Sequence, residues 1–304
     1  MTPSPSSRPT VAVFGLGSMG YGMASSLLQA QLPTVGYDIS PDQEKRFKEQ
    51  GGKDPGSRKE TAAEIDIVVI VVVNAAQTED VLFGEEGIAA DLKPGAVVMA
   101  CTTVDPDFAR AMEARLAETG VLYLDCPISG GAVKAATGDL SIMASGTAAA
   151  FEASAPALEA MAETVFRLGD QAGPGSAMKV VNQLLAGVHI AAAAEAVTFG
   201  LSQGIDAQSC YDVISKCAGT SWMFENRVPH ILEDDYAPRS AVDIFVKDLG
   251  IVTEAARKQE FEAPLASTAL DQFVMASGSG FGKEDDAAVA KIYAARASLE
   301  LPRK

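Results

Sequence analysis

Lys179 is the residue in this chain best suited to moving a proton. It stands in Gly173-Pro174-Gly175-Ser176-Ala177-Met178-Lys179-Val180-Val181-Asn182, where two glycines bring the chain into a long apolar helix. Asn182 and Gln183, three and four residues further on, fall on the same helical face. A lysine on an otherwise apolar helix is costly to bury without a task or a partner. The positive helix terminus and desolvation both push such an ammonium toward its neutral form. A neutral amine there can take a proton from a hydroxyl, and its charged form can return it. Spacing alone also fits an ordinary lysine that snorkels to the surface. His189, two turns on, reads as a core histidine with a hydrogen-bond partner. With His230 it completes a pair of distant histidines, and Cys101, Cys126, Cys210 and Cys217 form no CxxC, so no metal site is expected.

A second constellation lies near the start. Gly15-Leu16-Gly17-Ser18-Met19-Gly20 is a GxGxxG motif that follows a predicted strand and opens a predicted helix, and Asp38 ends the next strand. That context is the one a dinucleotide needs. The first glycine makes the turn, the second admits a pyrophosphate to the backbone N–H groups, and the third lets helix and strand pack closely. The helix terminus then stabilises the phosphate charge. A glycine turn without a ligand is the plainer alternative. A carboxylate at Asp38 accepts hydrogen bonds from a ribose 2′-OH and repels a 2′-phosphate, and Ile39-Ser40 offers no adjacent arginine, so NAD is expected over NADP.

Further candidates stand at the ends of other strands, where open α/β sheets bind ligands. Asn74 and Thr103 could meet the ribose and nicotinamide, or simply cap helices and turns. Ser129-Gly130-Gly131 offers a hydroxyl and backbone amides to a carboxylate, or is a flexible loop. Lys247 would add a second positive charge for a carboxylate ligand; its alternative is a surface ion pair with Asp248. Trp222 reads as an anchor of the C-terminal part or as part of a loop that closes over the site, with Ser221, Asn226 and Arg227 as polar candidates beside it.

The elements that must position these residues follow from the hydrophobic pattern. Strands are predicted at 10–14, 34–37, 65–73, 96–100 and 121–124, with shorter ones near 141–144 and 165–168, and helices such as 19–30 and 107–119 lie between them. The run at 65–73 is apolar at nearly every position, as in a parallel strand covered on both faces. The breaker cluster at 170–175 ends this alternation. A long Ala-rich helix follows at 176–203, then helical patterns only. The expected architecture is an α/β Rossmann domain followed by an all-α C-terminal domain, joined by a long interdomain helix. Residues 1–9 read as a disordered tail, 10–172 as the dinucleotide domain and 173–304 as the helical substrate and oligomerisation domain. The acidic runs Glu233-Asp234-Asp235 and Glu284-Asp285-Asp286 are expected to be solvated turns.

Composition bounds the function. A chain of 304 residues with 48% hydrophobic and 21% charged residues has an ordinary globular make-up. A net charge of −16 disfavours nucleic acid and anionic lipid as partners. The opening MTPSPSSRP is polar rather than charged and then apolar, unlike a signal peptide, and the longest wholly apolar run is too short to span a bilayer. The cysteines read as reduced thiols in a cytoplasmic protein.

Taken in order, GLGSMG at 15–20, DCPISGG at 125–131, GPGSAMKVVN at 173–182 and KDL at 247–249 resemble the β-hydroxyacid dehydrogenase family, over almost the whole chain. VVNAAQTEDVLFG, NQLLAGVHIAAAAEA and SWMFENRVPHI are similar to the branch that oxidises the four-carbon sugar acid L-threonate. The resemblance implies an NAD-dependent oxidation of a short hydroxy acid, with Lys179 as general acid/base and Asn182 as its helper. It also implies Ser129, Gly130 and Gly131 as substrate contacts, Lys247 beside cofactor and substrate, Thr103 beside the nicotinamide, and a dimer or tetramer. For that branch the product is a 2-oxo acid. The neighbouring expectations are oxidation of 3-hydroxyisobutyrate or reduction of tartronate semialdehyde, and, in another class, an NAD-binding sensor without turnover. Cys126 replaces the alanine common in relatives, and no histidine precedes Asn182 as it does in 6-phosphogluconate dehydrogenases.

Overall fold

The strands of the first half are short apolar runs that bury both faces. In a computed structural model describing residues 8–54 and 56–303, they are Val11–Phe14 (β1), Thr34–Tyr37 (β2), Ile67–Ile70 (β3), Val97–Ala100 (β4) and Leu122–Asp125 (β5). They form a parallel sheet in the order β2-β1-β3-β4-β5. Successive residues serve opposite cores, as the period of a strand requires. Val11, Val13, Ile67, Val69, Val97 and Met99 face one core; Ala12, Phe14, Val68, Ile70, Val98 and Ala100 face the other. The order reverses beside β1, so the glycine-rich turn after β1 lies at the switch point of the sheet. The predicted strand 65–73 is shorter than expected. Its continuation emerges from cover, with Val73 51% exposed and its N–H held by Gln77 Oε1.

Three further strands form a separate sheet: Ile128–Ser129 (β6), Leu140–Ala144 (β7) and Ala162–Arg167 (β8), with β6 antiparallel and β8 parallel to β7. Two backbone bonds tie the sheets at one place, Asp125 N to Ser145 O at 3.0 Å and Ser145 N to Asp125 O at 2.8 Å. Cys101 and Cys126 are buried with their sulfurs 3.8 Å apart, and burial pushes the Cys126 thiol well above its ordinary value.

The chain divides into two compact units, one through Lys179 and one from Val180 onward. The sequence expectation put the change at 172/173, where the long helix Pro174–Ser202 begins. The division falls later because the first turn of that helix is bonded to the sheets of the first unit. Of the expected N-terminal tail, residues 1–7 lie outside the described residues, and Arg8 donates to the carbonyls of Ala30 and Gln31.

The second unit is helical, with Ala207–Ile214, Trp222–Leu232, Val242–Lys258, Pro264–Ala276 and Ala290–Ala297 following the long helix. By length and hydropathy the long helix could cross a membrane, although no wholly apolar run in the sequence is that long. Its Ala186, Ile190, Ala191 and Ala194 instead share a core with Phe245, Leu249 and Phe273.

The run Glu284-Asp285-Asp286 is not the solvated turn expected: Asp285 and Asp286 are both 0% exposed. Arg227 binds Asp286 through Nε at 2.5 Å and Nη2 at 3.1 Å, and His230 Nδ1 lies 2.8 Å from Asp285 Oδ1. These contacts join the helix Trp222–Leu232 to the 3₁₀ turn Asp286–Val289. Burial would raise the Asp285 carboxyl, but hydrogen bonds from His230 and from the Arg239 and Ala287 N–H groups hold it below its usual value. At Asp286 burial wins over Arg227, and the carboxyl is pushed up to about 6.

The sign of the resulting pH dependence follows. The folded chain holds a proton at Asp286 that the unfolded chain releases from about pH 4 upward. This contribution to stability is complete below that value and is lost as pH rises through about 6. Urea denaturation between pH 4 and 7 should therefore contain a downward component of about 1.4 kcal/mol per pH unit in that window. Asp286→Asn should remove it; equal slopes for the two proteins would refute this assignment.

Candidate active site

The long helix begins without a side chain of its own to cap it. Gly173 precedes it, Pro174 opens it, and the first intrahelical bond runs from Ala177 N to Gly173 O at 2.8 Å. The N–H groups of the first turn are left without intrahelical partners. The sheets supply them. Asp125 Oδ2 accepts from Gly173 N at 2.9 Å and Ser176 N at 2.8 Å, and Asp125 Oδ1 accepts from Ser176 Oγ at 2.6 Å. Ser145 Oγ accepts from Gly175 N at 2.9 Å and donates to Asp125 Oδ2 at 3.2 Å. Burial raises the Asp125 carboxyl above its ordinary value, although the bonds from Ser176, Gly173 and Ser145 pull it down.

This contact explains the glycines. Gly173 has φ +117°, which a residue with a side chain rarely adopts. A Cβ at Gly175 would come within 2.6 Å of the carbonyl oxygens of Asp125 and Met143. The helix therefore starts as close to the strand ends as backbone can come.

That start fixes Lys179. The residue is 8% exposed, and its Nζ donates to the carbonyl of Ile128 at 2.8 Å. It is not the surface lysine that spacing alone also allowed. Ile128 belongs to β6, and Ser129, Gly130 and Gly131 follow it directly. The first unit thus brings two of the expected groups together, the amine and the Ser129-Gly130-Gly131 segment.

The glycine-rich turn fits a dinucleotide. A Cβ at Gly20 would collide with the carbonyl of Gly15, so the helix Gly20–Gln29 can pack close only with glycine. A Cβ at Gly17 would meet no protein atom within 4 Å, which leaves that backbone open to a phosphate. Tyr21 N bonds to Gly17 O, so the amides of Ser18, Met19 and Gly20 precede the first intrahelical bond. Leu16 is different: its side chain is core, and its N–H donates to Asp38 Oδ2 at 2.6 Å. Asp38 Oδ1 accepts from Ser40 N at 2.8 Å. The carboxylate is thereby aimed from β2 toward the turn after β1. No arginine adjoins Asp38 in sequence, but Arg58 comes within 5.8 Å of the Phe14 and Tyr37 ring centres.

At the remaining strand ends, Asn74 caps the helix Ala75–Phe83 by accepting from Gln77 N at 2.9 Å. Thr102 is buried and bonds to Val72 O, while Thr103 is half-buried.

In the second unit the expected residues are linked by two others. Asn182 Nδ2 donates to Gln183 Oε1 at 2.9 Å, and Gln183 Nε2 donates to Asp248 Oδ2 at 2.5 Å. Asp248 Oδ1 lies 2.6 Å from Lys247 Nζ. The Lys247–Asp248 pair is not a plain surface pair, because Asp248 is only 2% exposed. His189 is half-buried rather than core. Trp222 is 60% exposed, so it does not anchor the helical core; Phe224 and Val228 do that. Ser221 caps its helix by accepting from Phe224 N, and Arg227 is held by Asp286. Among the described residues no group of three or more His, Cys, Asp or Glu could hold a metal ion.

Sequence reasoning missed Asp125, Ser145, Ser176 and the Gln183–Asp248 link. Asp125 stood inside a quoted motif, and the helix start without a capping side chain was a usable signal that something distant must cap it.

Comparison with known proteins decides the family. Residues 10–169 match the family described as the NAD-binding domain of 6-phosphogluconate dehydrogenase. Residues 173–293 match that described as NAD-binding of NADP-dependent 3-hydroxyisobutyrate dehydrogenase. The chain is 52% identical over 294 residues to a protein named L-threonate dehydrogenase from Cupriavidus necator, covering 97% of this chain and 98% of that one. It is 50% identical over 284 residues to one of the same name from Escherichia coli K12, covering 93% and 94%. The chain belongs to the β-hydroxyacid dehydrogenase family. A crystal structure named 3-hydroxyisobutyrate dehydrogenase from Salmonella typhimurium superposes with a TM-score of 0.88 at 49% identity, covering 93% of this chain and 99% of that one. As a β-hydroxyacid dehydrogenase the chain is a nicotinamide-dependent enzyme acting on the CH–OH group of small hydroxy acids, and the reading as a silent sensor is set aside.

Replacing glycine by alanine inside a helix ordinarily stabilises by about 1 kcal/mol. At Gly175 the order should invert. Gly175→Ala should lower the melting temperature, because its methyl displaces the helix from Asp125 and Met143. Gly250→Ala, in the helix Val242–Lys258 with nothing within 4 Å of the new atom, should leave it unchanged or raise it. Equal shifts at both positions would rule out the close approach.

Proposed function

We propose that this β-hydroxyacid dehydrogenase oxidises L-threonate to its 2-oxo acid with NAD. The burial of Lys179, with its amine on the Ile128 carbonyl beside Ser129-Gly130-Gly131, carries the reading. In the forward direction neutral Lys179 takes the proton of the substrate hydroxyl; in reverse its ammonium returns it. Asn182 orients the hydroxyl or the lysine. Ser129, the Gly130 and Gly131 amides, and Lys247 bind the substrate carboxylate. Gly15 to Gly20 are assigned to the pyrophosphate, Asp38 to the adenosine ribose, and Asn74, Thr103 and Lys247 to the nicotinamide end. The bound nicotinamide supplies the hydride acceptor. Asp38 supports NAD, because its carboxylate would face the 2′-phosphate of NADP.

L-threonate is favoured by the relatives of that name at 50–52% identity. The name of the Salmonella structure favours a second substrate, 3-hydroxyisobutyrate. The four cysteines are free thiols, in keeping with a reducing compartment, and the enzyme is assigned to the cytoplasm. Met178, Val181, Leu185 and Phe199 are 44, 55, 50 and 65% exposed along one stripe of the long helix, which supports a homodimer or homotetramer.

One assay tests the reading. NADH or NADPH formation is followed with L-threonate and 3-hydroxyisobutyrate, and NADH or NADPH consumption with tartronate semialdehyde, which is assayed in the reducing direction. The expected outcome is the highest kcat/KM for L-threonate with NAD. Lys179→Ala should lower kcat by at least about 10²-fold and leave NADH binding within twofold. Higher efficiency on 3-hydroxyisobutyrate would replace the substrate assignment; undiminished turnover by Lys179→Ala would remove the lysine from the mechanism.

A further inference from the structure

We propose that Asp125 is the positioning residue for Lys179, acting through the first turn of the long helix. The proposal rests on the assignment of Lys179 as general acid/base. Asp125 is the last residue of β5 and is 1% exposed; its backbone keeps the strand pairing with Ala100 and the two bonds to Ser145, which leaves its carboxylate to other partners. All its hydrogen bonds with the helix go to the turn that precedes Lys179: Gly173 N, Ser176 N and Ser176 Oγ. Ser145 completes the set by holding both Gly175 N and the Asp125 carboxylate. The two capping residues are locked to each other by the paired backbone bonds between β5 and the residue after β7. Pro174 has no N–H to satisfy, so every first-turn donor has a fixed acceptor.

The consequence is geometric. Lys179 lies about one turn beyond Ser176, on a helix whose rotation and height are set by this carboxylate. Its Nζ meets Ile128 O at 2.8 Å, on the strand that enters the Ser129-Gly130-Gly131 segment three residues after Asp125 itself. The chain from 125 to 131 therefore supplies both the anchor of the helix and the wall against which its lysine rests. There is also an electrostatic consequence. A carboxylate at the helix N-terminus offsets the positive end of the helix dipole, which would otherwise disfavour the ammonium of Lys179. Asp125 thus fixes the amine in place and helps to set the pH at which it loses its proton.

The test uses the full-length enzyme. Asp125→Asn keeps the shape and one acceptor oxygen but removes the charge. The expected result is a 10- to 100-fold fall in kcat, from an amine displaced by a fraction of its working distance, with roughly unchanged KM and NADH binding. The acidic limb of the kcat/KM profile for oxidation should move to lower pH, which a merely structural role would not produce. In a Lys179→Ala background the same substitution should change the residual rate by less than twofold, because its effect passes through the lysine. Ser176→Ala and Ser145→Ala, milder changes to the same cap, should each lower kcat several-fold, and they decide the matter if Asp125→Asn does not fold. A wild-type kcat and pH profile in these variants would overturn the proposal, as would an equal loss in the presence and absence of Lys179. Full activity of Lys179→Ala alone would instead remove the reading on which it rests.

Discussion

A helix that starts inside a protein must find acceptors for its first N–H groups, and the long helix of this enzyme has none nearby in sequence. The Asp125 carboxylate and the Ser145 hydroxyl, both at strand ends, provide them. Much else at the site follows from that contact. It demands glycine at 175, because no Cβ fits between the helix and the carbonyls beneath it. It binds the helix start to the sheets strongly enough that the first compact unit extends through Lys179. It places a buried amine against a backbone carbonyl instead of in water, where a lysine would otherwise rest.

The scaffold was largely legible in the sequence, because its signals are local. Apolar runs such as 67–70 and 97–100 announce strands covered on both faces, and GxGxxG between strand and helix announces the dinucleotide turn. The long helix and the helical character of the second unit were legible for the same reason. What was hidden depends on partners far apart in sequence. β6 is a two-residue strand with no periodicity to detect. The cap on the long helix reaches across 48 and 51 residues. Asp285 and Asp286 read as a solvated turn because nothing nearby shows that Arg227 and His230 will meet them in the interior. Trp222 read as a core anchor from its size, yet it lies mostly exposed at the start of a helix whose core positions are Phe224 and Val228.

Charge is handled the same way throughout. The chain carries a net −16, and the buried titratable groups named above each have a close partner. Lys179 has a carbonyl, Asp125 has the helix amides, Lys247 has Asp248, Arg227 has Asp286 and His230 has Asp285. Close partners outweigh distant screened charge, so an acidic protein can hold the cations an anionic substrate needs. Membership of the β-hydroxyacid dehydrogenase family makes the reaction a nicotinamide-dependent oxidation of a hydroxy acid, and the proposed share of the protein in it is the proton.

The most direct measurement is a crystal structure of the enzyme with nicotinamide coenzyme and L-threonate bound. The account predicts Lys179 Nζ within about 3.2 Å of the hydroxyl on the carbon to be oxidised, with the Asp125 cap intact. A substrate bound for reaction with that nitrogen out of reach of the hydroxyl, directly or through one water, would contradict it.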